Sequence, residues 1–504
     1  MVYLIGAGPG DPGLLTLKGK RCLAGADVVV YDYLASPELL AFAEKASEVV
    51  YVGKQANRHA LPQEQINALL VAKAREGKTV ARLKGGDPYV FGRGGEEALE
   101  LHKAGIPFEV VPGVTAGVAA PAYAGFPVTH REHNSVLTFV TGHEDPTKTE
   151  SAIDWSALAK GGGTLVFYMG VRNLSNIVQR LIEGGRTPDT PAALIRWGTL
   201  PIQQVVEGTL ENIVERVRQA ELVPPCIIVV GEVVRLRASL NWFEQKPLFG
   251  KTIVITRSRE QASELAEKLN ALGARVLSFP TVRFEPPDDD QPLDDALQSL
   301  SEFDWVIFTS VNAVDRVFTA IDVQGGDARR FAGVKICCIG PGTAARLAER
   351  GIRADLIPER FTSNAIWDAL AENESLAGKR FLLPRADIAG RDLPEKLLTA
   401  GAKVTDIAAY KTLPGEPASD VIEALRADQV DLVTFTSAST ARNYAAIISV
   451  ALGQPPENMA YISIGPETSK AAGEVGLVIA AEADEHTLDG LVAAVVEYLG
   501  GKHP

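Results

Sequence analysis

A chain of 504 residues is longer than one hydrophobic core usually organises, and it predicts about two to four domains. Its 46% hydrophobic and 22% charged residues are ordinary for a globular protein. A formal charge of −13 excludes a general electrostatic attraction to nucleic acid or to an anionic membrane, so an anionic ligand must be met by individually placed cations.

No stretch reaches the ~18–20 consecutive apolar residues of a membrane span, and the N-terminus carries no basic leader. Cys22, Cys226, Cys337 and Cys338 form no C-x-x-C pair. Together these features predict a soluble, cytoplasmic protein with reduced thiols. Runs such as "DVVVYD", "KTVARLK", "TLVFYMG" and "CIIVVGEVV" alternate with helical patterns such as "LPQEQINALLVAKAREG", which predicts an α/β fold with parallel strands.

In chain order, "VYLIGAGPGDPGLLT" (residues 2–16) is a strand running into Gly6, Gly8 and Gly10. The spacing approaches the dinucleotide fingerprint G-x-G-x-x-G, but Asp11 stands where the third glycine belongs. "VVVYD" then ends in Asp32, about where the ribose-binding acid of a nicotinamide enzyme sits, so this loop alone leaves a dehydrogenase open. "RLKGGDPYVFGRGGEE" (residues 82–97) argues the other way. Its strand ends at Lys84 and enters Gly85, Gly86 and Asp87, a second turn whose backbone can approach a ligand and for which a nicotinamide enzyme has no need.

His130, His133 and the later His143 invite a zinc reading, but their setting is strand and loop, not a ligand-bearing helix, and no metal is expected. The stretch "PVTHREH", with Arg93 and Arg131, suits carboxylates of a ligand instead. The polar "EQKPLFGK" near residue 246 predicts a domain boundary. Beyond it a repeat begins. The stretch from Gly250, "GKTIVITRSREQASELAEKLNALGARVLSFP", is answered from Gly378 by "GKRFLLPRADIAGRDLPEKLLTAGAKVTDIA". Likewise "VIFTSVNAV" is answered by "VTFTSASTA", and "CIGPGTAARLAERG" by "SIGPETSKAAGEVG". Two similar α/β lobes are expected.

The first half resembles the uroporphyrinogen-III C-methyltransferases through "GAGPGDPGLLTLKG", "VVVYDYL", "YVGK", "PQEQIN", "RLKGGDP", "FGRGGEE", "VVPGVTA", "PVTHR", "TLVFYMG" and "NWF", all in order. The resemblance covers residues 1–245 and implies a two-domain tetrapyrrole methyltransferase fold, with subdomains of about 1–112 and 113–245. It implies S-adenosylmethionine as methyl donor, bound by Pro9, Gly85, Gly86, Asp87, Val90, Thr115, Ala116, Met169 and Gly198. It further implies methylation of uroporphyrinogen III at C2 and C7 to precorrin-2, with Asp32 as proton acceptor and Lys54 as proton donor, and a homodimer formed through this half.

Residues 250–504 resemble the uroporphyrinogen-III synthases through "FTSVNAV", "IGPGTA", "AAYKT", "FTSAST" and "IGPETSKA". That family implies two discontinuous parallel α/β lobes, here about 250–280 plus 415–504, and 286–407. It implies closure of hydroxymethylbilane with inversion of ring D. Ser310, Thr343, Ser437 and Thr468 are then expected to grip carboxylates, and Tyr410 to assist departure of the hydroxyl. Helix capping is the plain alternative for Thr343 and Thr468. At the level of function, a tetrapyrrole-binding second half without catalysis stays open. The expected partners are small tetrapyrroles, with neither nucleic acid nor membrane.

Overall fold

Five strands of the N-terminal portion, β1 (Val2–Gly6), β2 (Val28–Tyr31), β3 (Glu48–Tyr51), β4 (Val80–Lys84) and β5 (Phe108–Val111), form a parallel sheet in the order β3-β2-β4-β1-β5. The computed structural model describes residues 1–53, 61–142, 153–257, 263–456 and 458–500. Strands buried on both faces read as near-continuous apolar runs, and here alternate residues enter separate cores. Val2, Leu4, Val28, Val30 and Val80 meet Ile66, Leu70 and Leu101 on one side. Ile5, Val29, Ala81 and Leu83 meet Leu23 and Leu39 on the other.

A second sheet has the order β6-β7-β10-β8-β9, from β6 (Leu137–Thr141), β7 (Thr164–Tyr168), β8 (Pro191–Arg196), β9 (Gln204–Thr209) and β10 (Cys226–Val230). Here the expectation of parallel strands fails. Only β6 and β7 run parallel, whereas β7–β10, β10–β8 and β8–β9 are antiparallel. Residues 197–203 join β8 directly to β9, and a connection that short can link only antiparallel neighbours, since a parallel pair needs a crossover.

Beyond residue 250 two more sheets follow. One has the order Arg275–Ser278, Thr252–Ile255, Leu432–Phe435, Ala460–Ser463, Ile479–Glu482, the last three mutually parallel. The other has the order Val282–Glu285, Lys403–Pro414, Arg380–Ala386, Trp305–Phe308, Lys335–Cys338, parallel except for its antiparallel edge strand Val282–Glu285. The sequence repeat reappears as matched elements. After Trp305–Phe308, Ser310 caps the helix Val311–Val323; after Leu432–Phe435, Ser437 caps Ala438–Leu452. Gly340 precedes the helix Pro341–Glu349 as Gly465 precedes Pro466–Glu474.

The chain divides into two compact units, Met1–Ile253 with Ala266–Val276 and Val495–Pro504, and Val254–Leu265 with Leu277–Ala494. Among the described residues no helix is long and apolar enough to cross a membrane.

Candidate active site

In the first sheet β1 and β4 are neighbours, yet the chain leaves β1 toward β2 and leaves β4 toward β5, in opposite directions. Ligands of open α/β sheets bind at such a switch point, beyond the carboxyl ends of the strands. The loops there are locked backbone to backbone. Ala7 N donates to Lys84 O (2.7 Å), Gly86 N to Gly8 O (2.7 Å) and Gly8 N to Gly86 O (3.2 Å). A Cβ on Gly6 would lie 2.5 Å from Gly113 Cα, and one on Gly113 would lie 2.3 Å from Gly86 O. Asp87 braces the assembly, accepting from Tyr89 N at Oδ1 (2.8 Å) and from Gly113 N at Oδ2 (2.9 Å).

The glycines therefore have a reason that the sequence did not reveal. Gly85 lacks a side chain because Leu34 fills that space, where a Cβ would sit 2.4 Å from Leu34 Cβ. Gly86, at φ +68°, occupies the left-handed region that favours glycine, and its nearest neighbours on the missing side chain's path are Ala116 N and Thr115 Cα at 3.7 and 3.8 Å.

The second sheet closes the ring of loops. Thr115 precedes the helix Ala116–Tyr123, and its Oγ1 lies 2.7 Å from the Tyr168 hydroxyl, which also accepts from Gly117 N (2.9 Å). Burial pushes the Tyr168 phenol above its ordinary range. Val90 and Ala116 pack against the same core as Tyr168, and the Phe91 ring lies 5.0 Å from it. Met169 follows β7 with its side chain outward and is 55% exposed. Gly198 lies under the helix, where a Cβ would be 2.4 Å from Ala120 Cβ. The loop that carries Pro9 is tied to this side through Asp11, whose N donates to Thr199 Oγ1 (3.0 Å) and whose Oδ2 accepts from Tyr123 Oη (2.7 Å).

Pro9, Gly85, Gly86, Asp87, Val90, Thr115, Met169 and Gly198 thus lie on loops linked one to the next, with Ala116 at the start of the helix that follows Thr115. Backbone strain gathers there as well. Phe91, Arg93, Met169, Trp197 and Thr199 hold φ of +51°, +59°, +56°, +49° and +77°, and the only other described non-glycine residues at positive φ are Glu221 and Asp428.

Asp32 stands just past β2 with its side chain 28% exposed. Its Oδ1 accepts from Leu34 N (3.3 Å) and its Oδ2 from Arg82 Nη2 (2.9 Å). Arg82 and Lys84 point into the Val80 side of the sheet and meet Glu97 on the helix Gly94–Lys103. Burial, then Arg82, pushes the Lys84 ammonium below its ordinary range. Sequence reasoning missed this charged group. Its signal was present in two cations spaced two apart within an otherwise apolar strand, which places both on one face. Lys54 and His143 lie outside the described residues. The His130 and His133 rings are 4.9 Å apart.

In the second unit Ser310 Oγ accepts from Ala313 N (3.1 Å), and Ser437 forms a capping box with Thr440. Thr343 and Thr468 are buried in the first turns of their helices. Tyr410 is 7% exposed, packs against Phe284 and places its hydroxyl 2.9 Å from Ser310 Oγ. Burial raises its pKa, so the phenol keeps its proton.

Residues 1–214 match the family model "Tetrapyrrole (Corrin/Porphyrin) Methylases" and residues 263–493 match "Uroporphyrinogen-III synthase HemD". "Porphyrin biosynthesis protein HemD" of Ruminiclostridium josui is 38% identical over 99% of this chain and 98% of its own length. The chain belongs to the uroporphyrinogen-III C-methyltransferase and uroporphyrinogen-III synthase fusion family. "Uroporphyrinogen-III C-methyltransferase" of Bacillus subtilis is 46% identical over 70% of this chain and 72% of that protein. "S-adenosyl-L-methionine-dependent uroporphyrinogen III methyltransferase" of Methanosarcina barkeri is 54% identical over 48% of this chain and 94% of that protein. The break in pattern near residue 246 falls between the two matched ranges, residues 1–214 and 263–493.

Proposed function

We propose that residues 1–245 methylate uroporphyrinogen III at C2 and C7 to precorrin-2, and that residues 250–504 close hydroxymethylbilane, with inversion of ring D, to the uroporphyrinogen III that the first half consumes. The observation that carries the first activity is the continuous link of loops at the switch point, from Gly8 through Gly86 and Thr115 to Tyr168. S-adenosylmethionine bound there supplies an electrophilic methyl group. The residues fit that ligand. Met169, Val90 and Ala116 offer apolar surface for adenine, and the loop backbones around Pro9, Gly85, Gly86, Asp87, Thr115 and Gly198 offer polar groups to its ribose and amino-acid ends.

Each transfer joins a methyl to a ring carbon, and the ring must release a proton to restore neutrality. Asp32, at a strand end and part-exposed, accepts that proton, and Lys54 is the proton donor in this reading. In the synthase half, departure of the terminal hydroxyl as water needs a proton, which the protonated Tyr410 phenol is suited to direct. Loop backbones and hydroxyls at Ser310, Thr343, Ser437 and Thr468 hold the substrate's carboxylates, helped by helix N-termini.

One observation favours a second reading for this half, a tetrapyrrole-binding domain without catalysis. Ser310 and Ser437 already cap helices, and Tyr410 is almost fully buried. One experiment decides between them. The purified full chain is given hydroxymethylbilane with and without S-adenosylmethionine, and the products are separated by isomer and by methylation. Uroporphyrinogen III, and precorrin-2 when the donor is added, are expected. Uroporphyrinogen I alone would remove the synthase reading, and failure to methylate supplied uroporphyrinogen III would remove the methyltransferase reading.

A further inference from the structure

A row of charged side chains runs from the interior of the first sheet to its ligand-facing edge. Glu97, on the first turn of the helix Gly94–Lys103, is fully buried and gathers its donors on one oxygen. Its Oε1 accepts from Lys84 Nζ (2.8 Å), from Gln63 Nε2 at the start of the helix Gln63–Arg75 (3.0 Å) and from Arg82 Nε (3.3 Å), while the equally buried Oε2 has no hydrogen-bond partner. Arg82 continues the row, with Nη1 donating to Leu83 O (3.1 Å) and Nη2 to Asp32 Oδ2 (2.9 Å). Arg82 and Lys84 are themselves almost wholly buried.

Such a cluster is a poor way to gain stability. Desolvating several ions costs more than their attraction commonly returns, and apolar residues of similar volume would serve at least as well. What it does provide is direction. A guanidinium is planar and rigid, so a carboxylate that fixes Nε also fixes where Nη2 points. Here Nη2 points at Asp32, and the contact engages Oδ2 while the Leu34 amide steadies Oδ1.

We infer that Glu97 is a positioning residue for methyl transfer, acting through Arg82 to set the orientation of the Asp32 carboxylate. The inference rests on Asp32 as the proton acceptor. Without the Glu97 charge, Arg82 and Lys84 face Asp32 as the one remaining carboxylate of the row, and the guanidinium loses the partner that sets its angle. Glu97 itself lies too deep to meet a substrate.

The test is a double-mutant cycle on the full chain with supplied uroporphyrinogen III, using D32N, E97Q and the pair together. Binding of S-adenosylhomocysteine by calorimetry reports whether each variant keeps the donor site. E97Q is expected to lower kcat about tenfold, with KM and S-adenosylhomocysteine affinity changed by less than about threefold. In the D32N background the same substitution should cost less than about twofold more, because its effect passes through Asp32. A full additional loss in the double variant, or a wild-type kcat for E97Q beside a slow D32N, overturns the inference and leaves the proton-acceptor reading standing. A wild-type kcat for D32N removes that reading and the inference with it. Where E97Q fails to bind S-adenosylhomocysteine, R82K carries the same cycle, since it retains the charge and loses the rigid fork.

Discussion

The Tyr168 hydroxyl joins two elements at once, lying 2.7 Å from Thr115 Oγ1 and accepting the Gly117 amide at 2.9 Å. The amide is one of the groups that a helix leaves unpaired at its start, so the phenol serves as a cap contributed by a distant strand. Tyr168→Phe keeps the ring and its packing but strips both partners. The expected cost is about 1–3 kcal/mol, read by denaturant unfolding, with weaker S-adenosylhomocysteine binding by calorimetry. An unchanged midpoint and unchanged affinity would show that water replaces the hydroxyl without loss.

Two glycines of the first unit should respond in opposite ways to the same substitution. Gly6→Ala drives a Cβ to 2.5 Å from Gly113 Cα and 2.7 Å from Gly86 O, where backbone, not a flexible side chain, must yield. A destabilisation of about 1–3 kcal/mol or more is expected, together with loss of donor-analogue binding. Gly95→Ala, on a helix with nothing within 4 Å of the new atom, should be neutral or stabilise by up to about 1 kcal/mol. Thermal unfolding of the two variants side by side checks both.

Asp304 offers a pH-dependent test in the second unit. Its carboxylate accepts from Arg380 N (2.8 Å) and Lys379 Nζ (2.9 Å), and these hydrogen bonds, the backbone one first, hold its pKa below the ordinary 3.8. A depressed folded-state pKa adds stability that is fully present above the unfolded value and is lost as the pH falls through the folded one. The gap in unfolding midpoint between wild type and Asp304→Asn should therefore be constant from neutrality down to about pH 4 and shrink below it. A gap that persists unchanged at lower pH would assign the effect to shape and not to charge.

Tyr410→Phe separates structure from chemistry in the synthase half. Loss of the bond to Ser310 should lower stability by only about 1 kcal/mol, since the ring remains packed against Phe284. If the phenol directs a proton to the departing hydroxyl, consumption of hydroxymethylbilane should slow about tenfold, measured with the methyl donor absent. An unaltered rate would leave Tyr410 a core residue.

The sequence carried the fold class because its signals are local. Valines 28 to 30 announce a strand buried on both faces, and the glycine-bearing ends of β1 and β4 announce loops. Sequence reasoning offers capping at Thr343 and Thr468, but their helices start after Gly340 and Gly465, and the side-chain caps are Ser310 and Ser437, which it assigns to carboxylates. What stayed hidden depends on neighbours distant along the chain. Leu34 is the reason Gly85 has no side chain, and Asp11 reaches Thr199, between two strands of the second sheet, and Tyr123, on the helix Ala116–Tyr123. The antiparallel strands of the second sheet were missed because apolar runs such as "CIIVV" encode burial and not direction. Arg82 and Lys84 were legible as same-face cations, but no local pattern linked them to Glu97 or to Asp32.

The left-handed backbone at Phe91, Arg93, Met169, Trp197 and Thr199 sets a limit on engineering this enzyme for heat resistance. Each such non-glycine residue stores on the order of 1–3 kcal/mol, so glycine or asparagine at these positions is the nearest route to a higher melting temperature. These are also the loops proposed above to hold the methyl donor. Variants selected for thermostability alone should therefore accumulate there and lose turnover, whereas screens that also demand product should drive stabilising changes out to the helices.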